Sequence, residues 1–260
     1  MKSYLDLIRD VIQRGEEAVD ARTNVTTLST FGRSLDINLR WGYPLLTTKR
    51  MHFKSIKAEL IWFLKGCPNI KFLHDRGCTI WDEWADANGE VGPMYGKQWI
   101  DWNGHNQLQE CIDALKHGST SRRLVVSAWN VDDLDKMALS PCHILFQFYT
   151  RKGNLSCAVY QRSVDCFLGL PFDIASYALL VNMIAKQCNL QPDRLIYFMG
   201  DTHIYMNHYM QVLTQLKREP LDTPIIKLNP DITNIFDYDV DDIELEGYMS
   251  WPAIKADVVV

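Results

Sequence analysis

The chain has 260 residues, a formal net charge of −5, 47 % hydrophobic and 23 % charged residues. Those values suit one large globular domain spanning 1–260 and give no basic face for a nucleic-acid partner. No apolar run approaches the roughly 20 residues that cross a bilayer, and Met1-Lys2-Ser3-Tyr4-Leu5-Asp6 lacks a signal peptide's layout, so no membrane role and a cytoplasmic address are expected.

Leu5, Ile8 and Ile12 share one helical face behind Ser3 as N-cap, which predicts a helix over 3–14. A strand follows at 28–40, then a helix marked by Ile56, Leu60, Phe63 and Leu64 and ending near Gly66. Strands are expected at 122–130, 143–150 and 155–161, the last two joined by a turn at Arg151-Lys152-Gly153-Asn154. Residues 174–189 are apolar nearly all round, the pattern of a helix buried in a core. Weaker strands are expected at 225–229 and 241–247. The mixture predicts an α+β fold with a mixed or antiparallel sheet. Gly200-Asp201-Thr202-His203 has one glycine and is no dinucleotide loop.

The seven cysteines are irregularly spaced and contain no CxxC pair, so neither a disulfide framework nor a metal site is expected. Cys142, in Ser140-Pro141-Cys142-His143, is the candidate nucleophile, because arginines such as Arg162, Arg122 and Arg123 would lower a thiol's pKa. A buried, inert cysteine is the alternative from chemistry alone. Arg22, Arg122, Arg123 and Arg162, with the Ser163 hydroxyl, suit a phosphate, since guanidinium groups meet phosphate oxygens in a bidentate fork. Solvated surface arginine is the plainer reading for each, least so for Arg162, which ends an apolar strand. Trp62, Trp81, Trp84 and Phe172 could floor a pocket for a flat heterocycle or simply fill the core. His203 and Tyr205 share one face if the segment is extended. Asp173 stands as a polar side chain ahead of the 174–189 helix.

Together these motifs closely resemble the thymidylate synthase family. The resemblance runs through Leu46-Thr47-Thr48-Lys49-Arg50, Trp81-Asp82-Glu83-Trp84, Gly92-Pro93-Met94-Tyr95-Gly96, Ser121-Arg122-Arg123, the Cys142 segment, Gly200-Asp201-Thr202-His203-Ile204-Tyr205 and the tail. It implies a homodimer built on a large twisted sheet, with helices on one face and the sheets meeting across the dimer. It implies that Cys142 adds to C6 of a pyrimidine deoxynucleotide, that C5 takes the one-carbon unit of 5,10-methylenetetrahydrofolate, and that hydride from the same cosubstrate completes the methyl group. Glu59 would organise water and protons around the base, and Tyr95 with ordered water would stand where the C5 proton leaves. Arg22, Arg162 and Ser163 would hold the 5′-phosphate, with Arg122 and Arg123 reaching across from the partner subunit. His143, Asp165, His203 and Tyr205 join the nucleotide site. His52, Trp81, Trp84, Leu139, Asp165, Gly169, Phe172 and Val258 match the folate site, over which the C-terminal valines should close.

Two departures matter. The family reads the pyrimidine edge with Asn where this chain has Asp173. An amide accepts from uracil N3–H and donates to O4; cytosine reverses both groups. A protonated carboxyl can donate to N3 and accept from the 4-amino group, whereas a carboxylate only accepts, so either state is expected to disfavour uracil. The expected substrate is therefore dCMP and the product 5-methyl-dCMP. The alternatives are a dCMP hydroxymethylase of the kind found in phages, in which water traps the methylene, a thymidylate synthase acting on dUMP that tolerates Asp173, and an RNA-binding protein without turnover. Retained Cys142, Glu59, Tyr95 and Arg162 speak against the last. Secondly, the phosphate loop reads Arg22-Thr23-Asn24-Val25-Thr26 in place of Arg-Thr-Gly-x-Gly, and losing both glycines should stiffen it.

Overall fold

In a computed structural model, which describes residues 1–259, a long antiparallel and parallel sheet forms the frame on which every candidate residue hangs. The chain runs α1 (Lys2–Arg14), β1 (Glu16–Val19), β2 (Thr26–Asn38), α2 (Phe53–Leu64), α3 (Lys71–His74), α4 (Tyr95–Ile100) and α5 (Gln107–Lys116). It continues β3 (Val125–Ser127), β4 (His143–Arg151), β5 (Asn154–Asp165), α6 (Gly169–Gln187), β6 (Gln191–Tyr205), α7 (Tyr209–Leu216), β7 (Ile225–Leu228) and β8 (Ile243–Glu246). The main sheet has the order β1-β2-β6-β5-β4-β3, and β7 pairs with β8 apart from it. Only β5 and β6 are parallel, joined through α6, so the sheet is mixed as the sequence predicts.

Register separates the sheet's two faces. Leu35, Tyr197, Val159, Phe146 and Val126 form one cross-strand row, all buried under the helices. One residue along, Ser34, Phe198, Tyr160, Leu145 and Ser127 form a row on the opposite face, where Phe198 and Tyr160 are exposed. Alternation of the pleat produces this split. The α6 helix lies on the inner face against β5 and β6, and α1 packs on β2. Its apolar girdle, from Ile174 through Ala185, is buried almost without interruption, which is why no single amphipathic face could be read from it.

Several boundaries differ from the sequence reading. The first helix begins at Lys2 with Met1 as N-cap and no side-chain cap, so Ser3 does not cap it. The strand expected over 122–130 is only Val125–Ser127. By contrast β5 runs on to Asp165, so Arg162 and Ser163 lie inside the strand rather than at its end. The buried helix begins at Gly169, which places Asp173 within its second turn rather than ahead of it. The turn between β4 and β5 is borne out: Lys152 and Gly153 both take positive φ, at 49° and 76°, the pair that suits a twisted two-residue hairpin. β6, the longest strand at 15 residues, was foreseen only as an extended stretch around His203 and Tyr205. β1, α3, α4, α5 and α7 were not foreseen.

Candidate active site

Helix α6, strands β5 and β6, the α4 start and the segment before β4 converge on one cavity of about 300 Å³. Each side chain arrives there for a local reason. Ser140 and Pro141 end the approach to β4 and leave Cys142 just ahead of its first residue. The Cys142 amide donates to the Tyr95 hydroxyl at 2.8 Å, pinning the thiol segment to the first residue of α4. Gly96 permits that contact, because a Cβ there would stand 2.3 Å from the Phe63 carbonyl oxygen of α2. On β5 the inward positions continue Leu155, Cys157, Val159 and then Gln161, so a buried amide follows three apolar side chains into the site.

Asp173 faces the cavity from α6, with its side chain 17 % exposed. Gln161 Nε2 donates to Asp173 Oδ2 at 2.7 Å, and His143 Nε2 lies 4.0 Å from Oδ1. Burial raises the Asp173 carboxyl to about 7, against the pull of the Gln161 hydrogen bond. Glu59, from α2, accepts from Trp81 Nε1 at 2.7 Å; burial lifts it to about 8, and the nearby Asp173 adds to the rise. Two carboxyls that resist ionisation therefore share one apolar enclosure and hold protons near neutral pH. His143 stacks on Tyr95 with ring centroids 4.1 Å apart and its Nδ1 is 2.7 Å from the Tyr177 hydroxyl. Burial drops it to about 3, so the ring is neutral.

One expectation is overturned here. Arg162 and Arg22 do pull the Cys142 thiol down, but burial outweighs them and the thiol sits above its ordinary range. Arg122 and Arg123 take no part: they lie exposed on the turn before β3 and do not line this cavity. Arg162 is held rigidly, its Nε donating to the Pro141 carbonyl and its Nη2 to the Ser140 carbonyl, both at 2.8 Å. Its backbone is crowded by β6, where a side chain on Gly200 would come within 2.6 Å of the Arg162 carbonyl oxygen.

Arg22, Ser163, His203 and Tyr205 line the cavity's outer end, as do Asp165 and Gly169. Asp165 accepts from the Phe167 amide at 2.8 Å and from those of Leu168 and Gly169, so it caps the entry to α6. His203 Nδ1 is 2.7 Å from Asp201 Oδ1 and stands two residues from Tyr205 on β6. Ser163 and His203 also border a wider groove of about 750 Å³, into which Arg14, Arg33 and Arg162 face. The Arg22 loop is tied by Asp20, which accepts from the amide and hydroxyl of Thr23, each at 2.8 Å; Asn24 takes the left-handed φ of 55° that a glycine would favour. The loop's stiffness thus comes from Asp20 as well as from the missing glycines.

Trp81, Trp84, Leu139, Phe172, Val258 and Val259 wall the cavity, and a flat, largely apolar heterocycle fits such walls. Trp62 does not floor it: the ring is buried behind Trp81 and donates to the Asn69 carbonyl. Nor does His52 reach it; that ring is exposed and bonds Ser55 at 2.7 Å. Val260 lies outside the described residues. The tail is anchored upstream, where the Trp251 amide donates to the Thr47 carbonyl at 2.8 Å and His208 Nε2 meets the Asp257 carbonyl at 2.8 Å. Sequence reasoning missed Gln161, Phe63, Ile80 and Leu168 as lining residues. Gln161 carried a usable signal, an amide on the inward parity of an apolar strand.

A thiol and two carboxyls of raised pKa in one aromatic-walled cavity, in an α+β fold with a mixed sheet, have the make-up of a thiol-dependent enzyme. Set against known protein families, residues 2–260 match the model described as Thymidylate synthase, and the chain belongs to that family. It is by membership a one-carbon transferase, and the family's reaction is folate-dependent methylation at C5 of a pyrimidine nucleotide. Among the described residues no helix is long and apolar enough to cross a membrane, and no cluster of three or more potential metal ligands occurs.

Proposed function

We propose that this enzyme methylates C5 of deoxycytidylate, giving 5-methyl-dCMP. The observation that carries the proposal is the Asp173 carboxyl, largely buried at the cavity wall and raised to about 7. A protonated carboxyl whose hydroxyl faces N3 donates to cytosine N3 and accepts from the 4-amino group, and with the proton so placed a buried mispaired edge discriminates by about 10⁴ or more.

In this reading the Cys142 thiol gives its proton to solvent water and its sulfur adds to C6. Density displaced from the C5–C6 bond moves toward N3, where Asp173 delivers a proton, leaving C5 nucleophilic. 5,10-Methylenetetrahydrofolate, when bound, supplies the one-carbon unit and the hydride. Glu59, raised to about 8, supplies and recovers protons at the ring through water. Tyr95 is held well above the ordinary tyrosine range by burial, so its phenol relays the C5 proton to water as a neutral hydrogen-bonding group rather than taking it as an anion. Arg22, Arg162 and Ser163 receive the 5′-phosphate, His203 and Tyr205 the sugar. Trp81, Trp84, Asp165, Gly169 and Phe172 form the folate site.

Trp81, Leu139, Val258 and Val259 support methyl over hydroxymethyl as the product, since they wall the cavity and keep water from the exocyclic methylene. Growth of dihydrofolate absorbance in step with product tests this; product without dihydrofolate indicates hydroxymethylation.

The enzyme acts as a homodimer through the outer sheet face, where Phe198 is 51 % and Tyr149 54 % exposed beside Tyr160 and Val125. Such pairing would bring the partner subunit's Arg122 and Arg123 to the phosphate. Steady-state rates with dCMP and dUMP test the substrate: a strong preference for dCMP is expected, and a strong preference for dUMP refutes the proposal.

A further inference from the structure

A neutral carboxyl has two different edges. Presented one way, it donates to cytosine N3 and accepts from the 4-amino group. With the proton on its other oxygen, it accepts from uracil N3–H and donates to O4, as an amide does. Protonation of Asp173 therefore does not by itself select a base, contrary to the expectation that either state disfavours uracil.

Gln161 breaks this symmetry. It is 2 % exposed and reaches the cavity from β5. Its Nε2 lies 2.7 Å from Asp173 Oδ2 and 3.4 Å from the Ser163 carbonyl oxygen. A backbone carbonyl only accepts, so the donor end of the amide belongs on that side. The other end, Oε1, is buried without a hydrogen-bond partner among the described residues. Turning the amide over would set Oε1 against the Ser163 carbonyl and would demand a proton on Oδ2.

Building on the deoxycytidylate reading above, we infer that Gln161 is a specificity-determining positioning residue: by donating to Oδ2 it keeps that oxygen an acceptor for the 4-amino group and leaves the proton on Oδ1, facing N3. His143 Nε2, at 4.0 Å from Oδ1, is too far to compete for that proton by a direct hydrogen bond. Gln161 acts through Asp173 and needs no contact with the nucleotide.

The test is kcat/KM for dCMP and for dUMP across pH, in the parent enzyme, Gln161→Leu, Gln161→Glu and Asp173→Asn. Gln161→Leu is expected to lower the dCMP:dUMP ratio about tenfold, the worth of one buried hydrogen bond. It should also move the alkaline limb of the dCMP profile upward, because the lost donation had favoured the Asp173 carboxylate. Gln161→Glu preserves the shape and, once ionised, only accepts; it draws the proton to Oδ2 and should lower the ratio further, so it keeps the test intact if the leucine variant does not fold. Ratios within about twofold of the parent in both variants, a difference no larger than ordinary non-additivity, with the limb unmoved, overturn the role of Gln161. If the parent prefers dCMP and Asp173→Asn reverses it, that failure leaves the substrate reading intact; a parent that prefers dUMP overturns both.

Discussion

The two ends of the cavity are built on different plans. At the end proposed for the base, Asp173, Glu59, Gln161, His143 and Tyr95 come from helices and strands, are largely enclosed, and are held by partners within the same chain. At the end proposed for the phosphate, only Arg22 of the arginines lines the cavity, and it sits on a turn; Arg162 gives two of its donors to loop carbonyls, and Arg122 and Arg123 lie exposed away from the cavity. The proposed base end is thus ordered when the chain folds, while the proposed phosphate end would be completed by the ligand and a second subunit. A rigid, desolvated base end is where proton placement can be controlled.

Breaking the base end should have the largest effects. Cys142→Ser is expected to lower turnover by at least about 10⁴-fold while dCMP still binds by equilibrium dialysis, because the attacking atom is lost and the pocket is not. Turnover near the parent level would remove Cys142 from the chemistry. Next, Asp173→Asn should reverse the substrate preference, shifting the dCMP:dUMP ratio by about 10⁴. Glu59→Gln should cost about 10²–10³ in kcat, the usual scale for a general acid or base, with a small effect on nucleotide KM.

The pH profile sharpens the same contrast. Asp173 works in its protonated form and its carboxyl is raised to about 7, so kcat/KM for dCMP should be full below that pH and fall as pH rises through it. A profile still climbing beyond pH about 8 would contradict a proton held at residue 173. At the phosphate end effects should be smaller and shared between subunits. Arg122→Ala or Arg123→Ala should raise the dCMP KM by roughly tenfold, the loss of one charge-assisted contact. Mixing Cys142→Ser with a doubly substituted Arg122→Glu, Arg123→Glu protein should recover activity that neither has alone, since one hybrid site regains both a thiol and the arginines.

This contrast also explains what the sequence could tell. Cys142, Arg162, Asp165 and Asp173 sit in short contiguous motifs, and strands β4 and β5 with their turn follow from alternation and a Lys-Gly corner. The β6 strand was harder, because it opens on the polar run Gln191-Pro192-Asp193-Arg194 and Met199-Gly200-Asp201 interrupts its pattern. The Gly200 interruption is where β6 crosses close to Arg162, so the feature that hides the strand serves the site. Helix α4 was missed because it is only six residues long; Tyr95 enters it at a φ of 22°, with its hydroxyl accepting from the Cys142 amide. The thiol's raised pKa was illegible for another reason: sequence supplies the arginines but not the burial that outweighs them.

The most direct measurement is a side-by-side comparison of purified enzyme turning over dCMP and dUMP with saturating methylenetetrahydrofolate below pH about 7, where residue 173 keeps its proton. A carboxyl reading cytosine requires dCMP to be consumed with a kcat/KM exceeding that for dUMP by orders of magnitude. Faster consumption of dUMP would mean that the acid at position 173 does not choose the base.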